Sequence, residues 1–186
     1  MKPINTLLTI LFISLLSSPS WSATLGDLVE RDGLYYKKFT DVPYTGEVTG
    51  EEQGSFKSGK REGAWVFYHE NGQLWRKGNY KNNEPQGAWV SYHDNGQLSY
   101  KGNYKNNKRE GSWTEYHENG QLWLKGNYKN EKREGAWVGY HDNGWGMFKG
   151  NYNSGNEEGA WVGYYKDRTV NKELTGAFKD GVKISD

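Results

Sequence analysis

The sequence predicts an all-β fold, an elongated single-layer array of antiparallel β-hairpins closed by degenerate caps. Three observations predict it. Gly63-Ala64-Trp65 recurs as Gly87-Ala88-Trp89, Gly111-Ser112-Trp113, Gly135-Ala136-Trp137 and Gly159-Ala160-Trp161, a strict 24-residue step, and self-similarity at such a period is the signature of a repeat architecture. Glycines and an Asn-Gly pair fall in every period, so no apolar stripe of helical spacing survives. The apolar content comes from 9 Trp, 14 Tyr and 6 Phe, a composition suited to a thin, aromatic-faced sheet.

From the N-terminus, Met1-Lys2 is a short basic start, and the apolar run from Leu7 to Leu16 is too short to span a bilayer. Ser17 to Ser22 is small and polar apart from Pro19 and Trp21. Residues 1–22 therefore read as a secretory signal peptide, cleaved after Ser22, and the protein is expected to be exported to the periplasm or beyond. Residues 23–62 read as an N-terminal cap. Within it Leu34 to Lys37 is a short strand, Ala23 to Asp32 a partly ordered lead-in, and Gly54 and Phe56 stand one period before Gly78 and Tyr80. Residues 63–165 are the regular repeats. Residues 166–186 form the C-terminal cap, in which Lys166 to Lys172 replaces the Asn-Gly turn and Gly176-Ala177-Phe178-Lys179 arrives two residues late. Atypical terminal units close an otherwise open edge.

Within one unit, Gly63 to His69 alternates bulky with small or polar residues, Glu70-Asn71-Gly72 is turn chemistry, and Gln73 to Lys81 alternates again. That is a β-hairpin. A three-residue loop with Gly72 left-handed in a G1 bulge keeps even-numbered residues together. It predicts Val66, Tyr68, Leu74, Gly78 and Tyr80 on one face, with Trp65, His69, Trp75, Lys77 and Asn79 on the other. Gly78 is expected to leave room for neighbouring rings.

Charge restricts the function. Removing the leader takes away Lys2, leaving 23 basic against 23 acidic side chains. A near-neutral chain argues against a nucleic-acid binder held by bulk charge. There is no cysteine, which leaves no disulfide framework and no lipid-anchored lipoprotein.

His69, His93, His117 and His141 are each followed by a carboxylate, Glu70, Asp94, Glu118 or Asp142. Equivalent histidines two strands apart stand roughly 10 Å from each other, too far to share one zinc, and adjacent strand residues point to opposite faces. Each histidine is therefore expected to pack beside its turn. The sequence contains no Gly-x-Ser-x-Gly elbow, no phosphate loop and no His-Glu-x-x-His, so no catalytic residue, cofactor or metal is assigned and the protein is expected not to be an enzyme. Glu62, Glu110, Glu134 and Glu158 read as solvated charge.

Two files are the binding candidates. Trp65, Trp89, Trp113, Trp137 and Trp161 stand in register, and such a row either stacks on a ligand or forms the core. Lys77, Lys101, Lys125 and Lys149 make the second file, suited to an acidic protein, anionic lipid or glycan.

The Gly-x-Trp-x-x-Tyr, Asn-Gly-x-Leu and Lys-Gly-x-Tyr-Lys-Asn pattern resembles the bacterial variant of the MORN repeat, a group that includes proteins labelled YwqK-type antitoxins. The resemblance covers about Tyr44 to Gly181 with five copies. It implies an elongated hairpin array with a binding or scaffolding role. The expected function is an exported scaffold that binds a protein partner through its repeat face or an open sheet edge. The alternatives are an envelope-surface binder of anionic lipid or glycan, and a periplasmic antitoxin or immunity protein.

Overall fold

A computed structural model describes residues 22–186; apart from Ser22, the signal peptide read at residues 1–22 lies outside the described residues. The N-terminal strands are β1 (Ala23–Thr24), β2 (Leu28–Arg31), β3 (Leu34–Lys37), β4 (Gly46–Thr49) and β5 (Glu52–Lys57). The repeats supply β6 (Lys60–Tyr68) with β7 (Leu74–Lys81), β8 (Glu84–Tyr92) with β9 (Leu98–Lys105), β10 (Lys108–Tyr116) with β11 (Leu122–Lys129), and β12 (Lys132–Tyr140) with β13 (Gly146–Asn153). β14 (Asn156–Gly163), β15 (Gly176–Lys179) and β16 (Val182–Ser185) complete the chain.

Fourteen strands form one sheet in the order β1, then β4 to β16 in sequence, while β2 and β3 make a separate hairpin. Every pairing in the long sheet is antiparallel except the edge strand β1 against β4. The lead-in expected at Ala23 to Asp32 is instead ordered, because β1 pairs with β4 and β2 pairs with β3. The cap hairpin docks through its backbone: the Tyr35 amide donates to the Gly59 carbonyl and the Tyr44 amide to the Tyr35 carbonyl.

Two kinds of turn alternate along the meander. At His69 to Gln73 the Gly72 amide donates to the His69 carbonyl, the His69 amide donates to the Gln73 carbonyl, and Gly72 has φ +81°. This is the three-residue loop with a G1 bulge that the Asn-Gly pair predicts. The charged connectors are not loops but two-residue turns. Asn82 and Asn83 both have positive φ (53° and 70°), as do Asn106 with Asn107 and Asn130 with Glu131, the type I′ geometry that matches strand twist. Each repeat therefore continues straight into the next.

The predicted faces are wrong, and one residue accounts for it. Tyr68 pairs with Leu74 as the loop requires, but Phe67 pairs with Arg76, so Trp75 is an extra, bulged residue. The same step recurs at Ser99, Trp123 and Met147. A one-residue slip moves every following side chain to the other face. Trp65 consequently sits opposite Gly78, and Val66 opposite Lys77. Trp65 shares one face with Tyr80, Val66 shares the other with Lys77, and their equivalents follow suit.

The tryptophan face is the core. Trp65 and Trp137 are fully buried, and Trp89, Trp113 and Trp161 nearly so. Each ring lies flat on a glycine of the preceding strand, Gly54, Gly78, Gly102, Gly126 or Gly150, where an added methyl would overlap the indole. The expected role of Gly78 thus holds, with Trp89 as the ring it admits. Trp65, Trp89, Trp137 and Trp161 donate their indole N–H to the carbonyls of Ser55, Asn79, Asn127 and Asn151 at 3.1–3.2 Å. Between neighbouring tryptophans stand Tyr80, Tyr104, Tyr128 and Tyr152, making an edge-to-face ladder with centroid separations of 4.9–6.2 Å. Phe56 and Phe178 end the ladder against Trp65 and Trp161. Arginines lie over it: the Arg109 and Arg133 guanidinium groups donate to the hydroxyls of Tyr128 and Tyr152. A ring of this size removes about 150–250 Å² from water, an upper bound of roughly 4–6 kcal/mol each.

The Gly-x-Trp glycine has a different purpose. Gly63, Gly87, Gly111, Gly135 and Gly159 have open space around them but φ of 66–75°. The strand registers shift there, between Lys77 and Asn79 opposite Val90 and Gln86. This left-handed step lets the long strand bend over the core.

Candidate functional site

The five tryptophans proposed as binding residues are the packing of the sheet and present almost no surface. The slip brings a different row to the outer face. Val66 pairs with Lys77, Lys77 with Val90, Val90 with Lys101, Lys101 with Thr114, Thr114 with Lys125, Lys125 with Val138, Val138 with Lys149 and Lys149 with Val162. One uninterrupted row results, crossing nine strands. Lysines alternate in it with half-buried valines or threonine, and all four lysines are exposed. Beside it Ala64 pairs with Asn79, Ala88 with Asn103, Ser112 with Asn127 and Ala136 with Asn151. Successive lysines stand two strands apart, roughly 10 Å. Over the first three hairpins this surface is concave, a groove of about 650 Å³ with Ala88 and Val90 on its floor and Lys77 and Lys101 along it.

The turn edge is stitched together. His69, His93, His117 and His141 direct Nε2 at the carbonyls of Tyr92, Tyr116, Tyr140 and Tyr164 at 2.8–3.1 Å, so that nitrogen carries the proton. Asn71 and Asn95 donate their side-chain amides to the Asp94 and Glu118 carbonyls in the next turn, at 2.9 and 2.7 Å. The histidines are structural donors beside their turns, as their spacing predicts.

The connector carboxylates are not merely solvated. Glu62, Glu110 and Glu134 accept from the backbone amides of Asn82, Asn130 and Ser154 at 2.8–2.9 Å, each of which has positive φ. Gln86 does the same for Asn106 and Glu158 for Asp180. Each anchors the tight turn of the following unit, a role hidden in the sequence because the partner lies about one period away.

Burial also acts on the phenols. The Tyr104 hydroxyl is pushed up to about 12 by burial, and Tyr80 and Tyr152 are raised for the same reason. At the far end of the sheet, β16 leaves Val182 and Ile184 about two-thirds exposed and, among the described residues, pairs with β15 alone; a strand edge of this kind can accept a further strand.

Among solved structures, one described as "Crystal structure of GtfA/B complex bound to UDP and GlcNAc" is similar over 72% of this chain at 12% identity, with a TM-score of 0.18. The chain spans 24% of that protein's length, and so low a score carries no functional argument. No curated protein matches the sequence. The MORN repeat variant family matches at residues 61–82, 85–106, 109–130 and 133–154. Each window runs from the first strand of a unit, through its Asn-Gly turn, into the following connector. The fifth Gly-x-Trp copy falls outside these windows, and there the turn is replaced by Lys166 to Lys172. Four consecutive copies, each folded as the same bulged hairpin, make this chain a MORN-repeat-variant protein.

Proposed function

We propose that this protein is an exported, non-catalytic scaffold that binds a protein partner through its lysine and valine face. The observation that carries the reading is the unbroken row from Val66 to Val162. Alternation of cation and apolar side chain offers separated charges with hydrophobic surface between them. That suits a folded protein bearing carboxylates among apolar groups. The groove adds a concave apolar floor, and flanking asparagines offer hydrogen bonds at the same two-strand repeat. Export rests on the basic start and the apolar run from Leu7 to Leu16.

The same lysines also support a second reading, attachment to anionic lipid or glycan at the envelope, and an antitoxin that masks a toxin in the periplasm is a special case of the first. Affinity purification of the mature chain from an envelope fraction tests the proposal. A stoichiometric protein is expected, retained at high salt, and reduced about tenfold or more when Lys77, Lys101, Lys125 and Lys149 are replaced by Gln. Recovery of no such protein overturns it. Binding only to anionic vesicles, collapsing as salt rises, transfers the face to the second reading.

A further inference from the structure

The tryptophan face carries a row of its own, and this row is irregular. Phe67, Ser91, Glu115, Gly139 and Gly163 occupy one position of successive units, paired across the sheet with Arg76, Tyr100, Leu124 and Phe148. Where one partner is small the other is large: Phe148 covers Gly139, and Leu174 covers Gly163. In the first hairpin Phe67 is buried beneath Trp75 and Arg76, whose guanidinium lies 4.4 Å from each ring centroid.

In the middle of the array this compensation fails. The bulge residue is Ser99 where the neighbouring units have Trp75 and Trp123, and the position beside Tyr100 is Glu115. A cleft of about 560 Å³ is left, walled by Tyr100 and Trp123 and reached by Glu115, His117 and Glu118. Trp113 answers the same change. Alone of the five, it turns its indole N–H away from the backbone and donates to the Glu115 carboxylate at 2.8 Å, while Tyr100 stacks on it at 5.2 Å and 16°. Among the described residues that is the one hydrogen bond made by the Glu115 side chain. The cleft is lined by Glu115, Glu118 and Asp142 but by no lysine or arginine; of these, Asp142 is paired with Lys166.

We propose that this cleft binds a guanidinium or alkylammonium group, presented as an arginine or lysine side chain of a protein partner. The chain itself shows what its aromatic face accepts. Arg76 lies on Phe67 and Trp75, Arg109 on Tyr128 at 4.1 Å, Arg133 on Trp137 at 4.6 Å, and Arg168 on Trp145. The central cleft repeats that setting, with ring walls and an added carboxylate, but supplies no cation of its own. A cation held against a ring and beside a half-buried carboxylate gains from both. The site lies on the face opposite the lysine row, so it stands or falls independently of the proposed function.

Calorimetric titration of the mature protein, with the Trp123 indole N–H signal followed by NMR, tests the proposal. The probes are N-acetyl-arginine N-methylamide, its uncharged citrulline counterpart, and a glycine-serine peptide with one central arginine. Saturable binding of the arginine probes is expected, with the citrulline compound about tenfold weaker or worse. Glu115→Gln, which keeps an acceptor for Trp113, and Ser99→Trp, which fills the cleft with the ring its neighbours carry, should each weaken binding about tenfold with thermal unfolding unchanged. Equal affinity for the citrulline compound, no saturation, or binding untouched by both variants overturns the proposal. A peptide bound more than about tenfold weaker than the capped arginine compound overturns the protein source, because the side chain then fails to enter the cleft from a polypeptide.

Discussion

The two faces of this sheet use the same backbone and reach opposite ends. On one, Trp137 is fully buried in a layer that, among the described residues, has no second sheet over it. It achieves this by lying on Gly126 and leaning its edges on Tyr128 and Tyr152. On the other, Lys125 and Lys149 flank Val138 and stay in water. A thin sheet can bury large rings without a partner layer if the rings pack against backbone, and that leaves its reverse side available for contact.

Substitutions should separate the faces in a graded order. Trp137→Ala is expected to cost about 3–5 kcal/mol, visible as a lower midpoint in urea unfolding, and because stability in a repeat array is shared between neighbours the loss should spread to adjacent units. An effect below 1 kcal/mol would mean that the ring is not the packing of the sheet. Gly126→Ala should cost about 1–3 kcal/mol by overpacking, although alanine suits a strand at least as well as glycine in isolation. Alkaline pH offers a measure of the same face. The neutral phenol of Tyr104 is favoured in the fold, so its contribution is complete below the ordinary tyrosine range near 10. It is lost as pH rises through about 12. Phenolate absorbance and circular dichroism should therefore change together in that window, and phenol ionisation complete near pH 10 would contradict the burial. Last, Lys125→Gln should change stability by no more than about 0.5 kcal/mol while weakening a partner bound to the lysine face. A large loss of stability would make the lysine row structural.

Much of this was legible from residue order. The period, the hairpin, the left-handed Gly72 and the room made by Gly78 all follow from turn chemistry and strand crowding, which act over a few residues. The faces were not. The bulge that sets them falls on Trp75, Ser99, Trp123 and Met147, which share no side-chain property, so no local preference announces it. One signal was nevertheless present: placing Lys77 beside Trp65 would put a lysine file into the only surface aromatic enough to be a core. The turn-anchoring glutamates were missed for a different reason. Their acceptors serve amides about one period away, and charge beside a turn looks solvated until the next hairpin is in place. The central cleft depends on Ser99, Tyr100 and Glu115 acting together across two units, where the repeat pattern directs attention to what is constant instead of what varies.

The stitching of the turns bears on how such a molecule changes size. His69 and Asn71 give their protons to the next turn, and that turn's His93 and Asn95 give theirs onward. Along this Asn-Gly turn edge the side-chain donors face the C-terminus and the carbonyl acceptors the N-terminus. A duplicated unit would arrive with both ends already matched, and a deleted one would leave matching ends behind. Gene duplication can therefore lengthen or shorten the sheet in increments of roughly 10 Å without inventing a new joint, so copy number itself sets how wide the sheet is.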